Sequence, residues 1–227
     1  MAESGMNPID EDPGVFDWQP PVVRDRARPV DIEVELSSLV MRVSRSGSDH
    51  EAALRRELSD TMGPGSSIDV AHVRWTGEGP DLAWFAERGR LAETTFLARV
   101  LAAVDGSERV PDIEAAPLPG GVFGLRAELT NALLAERIYL EGAKAARGYW
   151  ERADLIVDLW WRDLVQSRPE DFQAWFVPED WSEWFEEDFR FAGTWIVLDV
   201  RAHEAHVVRV HAPADDGREQ APHASTS

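Results

Sequence analysis

The clearest alternation of hydrophobic and polar positions lies near the C-terminus, in two segments rich in β-branched residues that flank a short polar stretch. Residues 194–200 and 206–211 fit two strands, and the tight turn between them is expected near residues 202–205. The same period-two alternation occurs in residues 30–43 and 68–75. We therefore expect an antiparallel sheet of about four strands that draws on both ends of the chain.

Most of the remaining chain shows the spacing of three and four residues that is typical of amphipathic helices. Residues 50–62 fit a short helix, residues 80–104 fit one or two helices, and residues 125–167 fit two. Two short helical turns are expected at 170–175 and 178–188. The pattern as a whole predicts an α+β fold, in which the antiparallel sheet packs against several helices.

The two ends of the chain differ in composition from the middle. Residues 1–20 carry five acidic residues, three prolines and no basic residue, which is typical of a flexible arm. Residues 213–227 are polar and are expected to be disordered. We therefore expect a flexible acidic arm (1–20), a single α+β domain (21–212) and a disordered tail (213–227). The stretch 105–124, which is rich in glycine and proline, is the alternative boundary within that domain.

The chain is strongly acidic, with 42 acidic and 23 basic residues and a formal net charge of −19. This charge repels nucleic-acid phosphates, so nucleic acid is not expected as a partner. The absence of cysteine excludes disulfides and thiolate metal sites. No apolar run approaches the length of about 18 residues that a membrane span requires, and the N-terminus does not resemble a secretory signal. We therefore expect a cytoplasmic protein without membrane contact.

An acidic-aromatic segment, residues 168–190, provides the first functional hypothesis. It contains eight acidic residues, and four of its aromatic residues recur at helical spacing. Because aromatic side chains anchor many interfaces and charge steers encounters, the segment predicts a non-enzymatic interaction module, such as an inhibitor, immunity-type protein or adaptor, for a basic protein partner. Alternatively, the aromatic residues pack on the sheet and the acidic residues are simply solvated. The candidate contact residues are Trp181, Glu183, Trp184, Glu186, Glu187 and Asp188.

Histidines in and after the predicted turn provide the alternative hypothesis, an enzyme or ligand-binding domain with a histidine-carboxylate pocket. His203, Glu204 and His206 have the side-chain chemistry of a metal site; otherwise these histidines are ordinary residues of a solvent-facing strand. His206 and His211 lie five residues apart, so on a strand they point to opposite faces and are not expected to bind one ion. The sequence contains no phosphate-binding loop and no common hydrolase, zinc-protease or calcium-loop motif. It therefore predicts no cofactor and leaves open whether the protein is an enzyme.

Overall fold

In the computed structural model, the described chain comprises residues 29–62, 66–77, 80–141, 143–178, 181–185 and 189–213. Its helices are α1 (Pro29–Ser38), α2 (Asp49–Met62), α3 (Pro80–Glu87), α4 (Phe96–Asp105), α5 (Gly121–Glu141) and α6 (Ala143–Val165). Its strands are β1 (Val40–Ser44), β2 (Ser67–Thr76), β3 (Ala116–Pro117), β4 (Phe172–Val177), β5 (Phe189–Asp199) and β6 (Glu204–Pro213). The predicted α+β class is confirmed. The predicted strand number, about four, is wrong, because six strands are found among the described residues. The predicted arm and all but the first residue of the predicted tail lie outside them.

The six strands form one antiparallel sheet in the order β1-β2-β6-β5-β4-β3. The C-terminal strand β6 lies near its centre, between β2 and β5. The hairpin formed by β5 and β6 turns at residues 200–203, where His203 adopts a left-handed conformation with φ 55°. The sheet therefore joins strands from both ends of the described chain, and the residues of β6 from Glu204 to His211 have a strand neighbour on each side.

Helices cover both faces of the sheet, which gives three layers. The first face packs against α2, α5 and α6 through residues such as Val70, Val197 and Val208. The second face packs against α1, α3 and α4 through residues such as Ala71 and Val207. Because side chains alternate along a strand, neighbouring residues of β2 and β6 enter different cores. Polar residues on these two strands are therefore sorted to opposite sides of the sheet.

Residues 29–38 form helix α1, which corrects the first part of the strand predicted over residues 30–43, whereas its second part, from Val40, lies in strand β1. Ile32 and Leu36 are fully buried, whereas Val34 between them is 70% exposed. A strand would have pointed all three side chains to the same face, but a helix brings only the i and i+4 positions together. The alternation in the sequence therefore fitted both structures, and burial of one helical face determined the outcome.

The acidic residues of α1 cap the next two helices. Glu35 accepts a hydrogen bond from the backbone N–H of Leu82 at 3.0 Å, in the first turn of α3. Glu33 accepts one from the backbone N–H of Thr95 at 3.1 Å, directly before α4. Carboxylates at helix N-termini satisfy free amide groups and interact favourably with the helix dipole. These residues, which first suggested the outer face of a strand, therefore fix α1 against α3 and α4.

Two further expectations, both in the segment after α6, are corrected. Residues 172–177 form strand β4 instead of a helical turn, because both faces of β4 are covered and its apolar run shows no alternation. Residues 181–185 form turns instead of part of a helix over 178–188.

The longest helices are α5 and α6. Neither of these nor any other described helix combines the length and apolar content needed to cross a bilayer.

Candidate metal centre

Two histidines face each other across the central strands of the sheet. His72 of β2 and His206 of β6 are cross-strand partners on the first face. Their Nδ1 atoms are 2.9 Å apart, and their rings meet edge to face with centroids 5.0 Å apart. The imidazoles are therefore held together by strand register, without any contribution from a flexible loop.

A carboxylate on α2 orients the first of these histidines. His72 Nε2 lies 2.7 Å from Oε2 of Glu51, whose side chain is almost completely buried. Because a carboxylate only accepts, the hydrogen of neutral His72 is on Nε2, and its Nδ1 lone pair points towards His206. Burial by itself would raise the pKa of Glu51, but hydrogen bonds from His72 and Arg55 outweigh it and hold the pKa below its usual value. Glu51 is therefore ionised at neutral pH.

The second histidine is neutral at the same pH. Burial lowers the pKa of His206 to about 4, and the charge of His72 acts in the same direction. The carboxylates of Glu204, Asp199 and Glu51 oppose this effect only in part. A neutral imidazole keeps a nitrogen lone pair, which is the form that binds metal ions.

Glu204 completes a cluster of three possible metal ligands. It is the cross-strand partner of Arg74, whose Nη2 lies 3.3 Å from its Oε2. It also shares a face of the sheet with His206, two residues further along β6. His72, Glu204 and His206 each offer one ligand atom, and these atoms all lie within 4.8 Å of one another.

The cluster opens into a polar cleft of about 330 Å³ between the sheet, α2 and the end of α6. Gln166 and Ser167 have φ angles of 47° and 65°, so the chain turns sharply after α6 at the rim of this cleft. Arg168, which follows, binds Asp199 at 2.7 Å and Asp171 at 2.6 Å. Its charge is therefore balanced, and the cleft has room for a ligand beside the histidines.

His203 lies apart from this cluster, although the sequence grouped it with Glu204 and His206. Its imidazole stacks on the indole of Trp75, with ring centroids 5.6 Å apart, and faces a cavity on the second face of the sheet. The structure thus brings Glu204 and His206 together with His72. Sequence reasoning missed His72 because the link between residues 72 and 206 is the β2–β6 register, which a single sequence does not reveal.

The aromatic residues of the acidic-aromatic segment cover a buried arginine. The guanidinium of Arg209 on β6 lies 4.5 Å from the ring centroid of Trp184 and 5.6 Å from that of Trp181. It also binds Asp69 at 2.6 Å and Asp105 at 3.2 Å. We call these five residues the Arg209 cluster. Both tryptophans therefore have contacts within the protein, while they remain partly exposed.

The acidic candidates of this segment are only partly visible in the structure. Glu183 is exposed, in the turn that carries Trp184. Glu186, Glu187 and Asp188 lie outside the described residues. The predicted partner-binding role of the segment therefore stays a hypothesis.

Comparison of the chain with protein-family models, curated proteins and solved structures gave no match. Function is therefore inferred from the geometry and chemistry of this chain alone. The observations that bear on it are the convergence of two imidazoles and a carboxylate and the adjoining cleft.

Proposed function

We propose that this protein binds a divalent transition-metal ion of the Zn²⁺ class through His72, Glu204 and His206, as part of an enzyme or ligand-binding domain. One observation carries the proposal: each of the three side chains offers a ligand atom, and these atoms lie within 4.8 Å of one another. Two imidazoles and one carboxylate form a ligand set that suits Zn²⁺ and its neighbours in the first transition row. Three protein ligands with an open position are typical of catalytic zinc, whereas structural zinc is usually closed by four.

The surroundings of His72 support this proposal. Histidine ligands commonly donate their second ring N–H to a carboxylate, which fixes the ring and raises its basicity. Glu51 accepts that hydrogen bond from His72 and is itself bound by Arg55 at 2.7 Å. This chain of contacts leaves Nδ1 of His72 directed at His206. If both Nδ1 atoms bind one metal ion at the usual Zn–N distance of about 2.0–2.1 Å, these two atoms need to move only slightly further apart than their present 2.9 Å.

The cleft gives the open coordination position access to water or a small ligand. A bound ion polarises an oxygen atom that it coordinates and lowers the pKa of a bound water molecule. Asp163 lies in the wall of the same cleft and is 2.7 Å from Nδ1 of His50. The proposal extends to metal binding and to a role of the ion in this cleft, without a defined substrate.

Metal titration of the purified, metal-free protein tests the proposal. We expect one Zn²⁺ per chain by calorimetry, and a Co²⁺ absorption spectrum that indicates nitrogen and oxygen ligands. His72→Ala and His206→Ala should each weaken Zn²⁺ binding by more than the roughly 10–100-fold that is typical of losing an outer-shell partner. Glu51→Gln should weaken it by about that amount.

His203→Ala is the matched control, because this histidine is next to Glu204 in sequence but stacks on Trp75 on the second face. Its affinity for Zn²⁺ should stay within about twofold of the original protein. Absence of binding at micromolar Zn²⁺, or equal losses for His203→Ala and His206→Ala, would contradict the proposed ligand set.

A second candidate function, binding of a basic protein partner, has one observation in its favour. Glu183 lines a polar groove of about 570 Å³ together with Asp105, Asp112, Trp181 and one basic residue, Arg109. Asp105 is bound to Arg209, but the carboxylates of Glu183 and Asp112 beside an indole ring suit a lysine or arginine side chain of a partner. Reversal of Glu183, Glu186, Glu187 and Asp188 to lysine should abolish salt-sensitive association, whereas Glu128→Lys on the exposed side of α5 should not. Association that is unaffected by the four reversals excludes this surface.

A further inference from the structure

A second cavity, of about 480 Å³, lies on the second face of the sheet, on the opposite side from the histidine cleft. Its walls are mainly apolar and come from β2, α3, the start of α4 and the turn between β5 and β6. Cavities of this size with apolar walls and a few polar groups are typical sites for small organic molecules. The apolar wall residues that are themselves buried are Trp75, Leu82, Ala86, Leu91, Phe96 and Leu198.

The polar groups at this cavity favour a positively charged ligand. Among the described residues that line it, Glu87 is the only one with a formal charge, and His203 is the only other titratable one. Glu87 lies at the end of α3 with a largely exposed side chain, and its nearest described cation is Arg88, at 3.7 Å. The apolar walls therefore end at a carboxylate that is only weakly paired.

We propose that this cavity binds a small organic cation, a primary amine on an apolar or aromatic body. The body lies against Trp75 and Phe96, and the ammonium group lies at the carboxylate of Glu87. The net charge of −19 on the whole chain further attracts cations and repels anions. The site is separated from the proposed metal ligands by the thickness of the sheet, so the amine and the metal ion are expected to bind independently.

Calorimetric titration with three probes of equal shape tests this proposal. The probes are 3-phenylpropylamine, 3-phenylpropan-1-ol and 3-phenylpropionate, which carry a positive, a neutral and a negative head group. We expect the amine to bind most tightly and the carboxylate most weakly. Glu87→Gln should weaken amine binding about threefold to fivefold, the range expected for loss of an exposed ion pair, and should leave alcohol binding unchanged.

Three more variants locate the site. Ala83 lines the cavity from the exposed side of α3. Ala83→Phe should therefore fill the mouth and reduce the binding of all the probes, while circular dichroism confirms the fold. Glu108→Gln is the matched control, because it removes the same charge at an exposed position outside the cavity. His206→Leu should bind the amine like the original protein even if the metal proposal fails.

Several results would overturn the proposal. The first two are that the amine does not bind at millimolar concentration, or that the three probes bind with equal affinity. The other two are that Glu87→Gln has no larger effect than Glu108→Gln, or that Ala83→Phe folds and still binds the amine. A threefold to fivefold preference for the amine over the alcohol that disappears in Glu87→Gln, together with weaker binding of all three probes in a folded Ala83→Phe protein, supports it.

Discussion

Two polar clusters lie three residues apart on the same pair of strands, but on opposite faces of the sheet. Asp69 is opposite Arg209 across β2 and β6, and His72 is opposite His206 across the same strands. Both Nη atoms of Arg209 bind carboxylates, and two indole rings cover its guanidinium. The histidine pair instead presents one Nδ1 atom to another beside an open cleft.

The difference between the clusters is the reason to expect a structural role for the Arg209 cluster and a binding role for the histidine cluster. A buried charge is tolerated when opposite charges and hydrogen bonds compensate it, and both Nη atoms of Arg209 are compensated in this way, whereas its Nε has no hydrogen-bond partner among the described residues. In the histidine cluster the two Nδ1 atoms lie against each other beside an open cleft, so that the proposed metal ion would take the place of their mutual contact. We therefore expect substitutions in the Arg209 cluster to affect folding first, and substitutions in the histidine cluster to affect binding first.

Removal of the arginine should have the largest effect. Arg209→Met leaves the carboxylates of Asp69 and Asp105 beside an apolar side chain, and we expect a loss of about 3–5 kcal/mol in the free energy of unfolding. Urea denaturation measures this loss. Arg42→Met, at an exposed position on β1, is the matched control and should change stability by less than about 0.5 kcal/mol. If Arg209→Met costs under about 1 kcal/mol, the Arg209 cluster is not a stabilising feature.

Removal of the charge on Asp69 should have an intermediate effect that depends on pH. Burial alone would raise the pKa of Asp69, but hydrogen bonds from Arg209 and Arg45 outweigh it and hold the pKa below the ordinary value of 3.8. A carboxyl whose pKa is lower in the folded than in the unfolded state stabilises the fold fully above the unfolded value. This contribution is lost as the pH falls through the folded pKa.

Asp69→Asn should therefore reduce the free energy of unfolding by about 2 kcal/mol at pH 7, since Arg209 keeps its contact with Asp105. The difference between the two proteins should shrink as the pH falls below about 4. Urea titrations at several pH values between 3 and 7 measure this difference. A gap that stays constant over this range would show that the charge of Asp69 does not contribute.

Much of the sheet was predictable from the sequence, because alternation is visible wherever one face differs from the other. Strands β2, β5 and β6 were recognised in this way. Strand β4 was not, since Phe172, Ala174, Trp175 and Val177 are all buried and leave no alternation to detect. Helix α1 was misread because the apolar positions of residues 30–36 fit both periods.

The candidate site was predictable only in part, for a different physical reason. Glu204 and His206 share a face through the period of one strand, which local sequence contains. His72 reaches them through the register of β2 against β6, and its hydrogen-bond partner His206 is 134 residues away in the sequence. Glu51 reaches them through the packing of α2, and its partner His72 is 21 residues away. Such contacts depend on the whole fold. The sequence therefore pointed to Glu204 and His206, two of the three proposed ligands, and grouped them with His203, the residue before Glu204 in the chain, instead of His72.

The smallest effect on folding should come from the histidine that is central to the proposed site. His206→Leu removes an imidazole that faces another imidazole at the wall of the polar cleft, and replaces it with an apolar side chain next to His72 and Glu204. We expect a change of less than about 1 kcal/mol in the free energy of unfolding of the metal-free protein, in either direction.

His211→Leu on the same strand is the comparison, because this histidine is fully buried on the second face against Trp184 and Phe185. It should cost more than His206→Leu, and zinc should raise the melting temperature of His211→Leu but not of His206→Leu. If His206→Leu is the more damaging of the two in metal-free protein, the histidine pair belongs with the Arg209 cluster as a structural feature, and the contrast between the two faces fails.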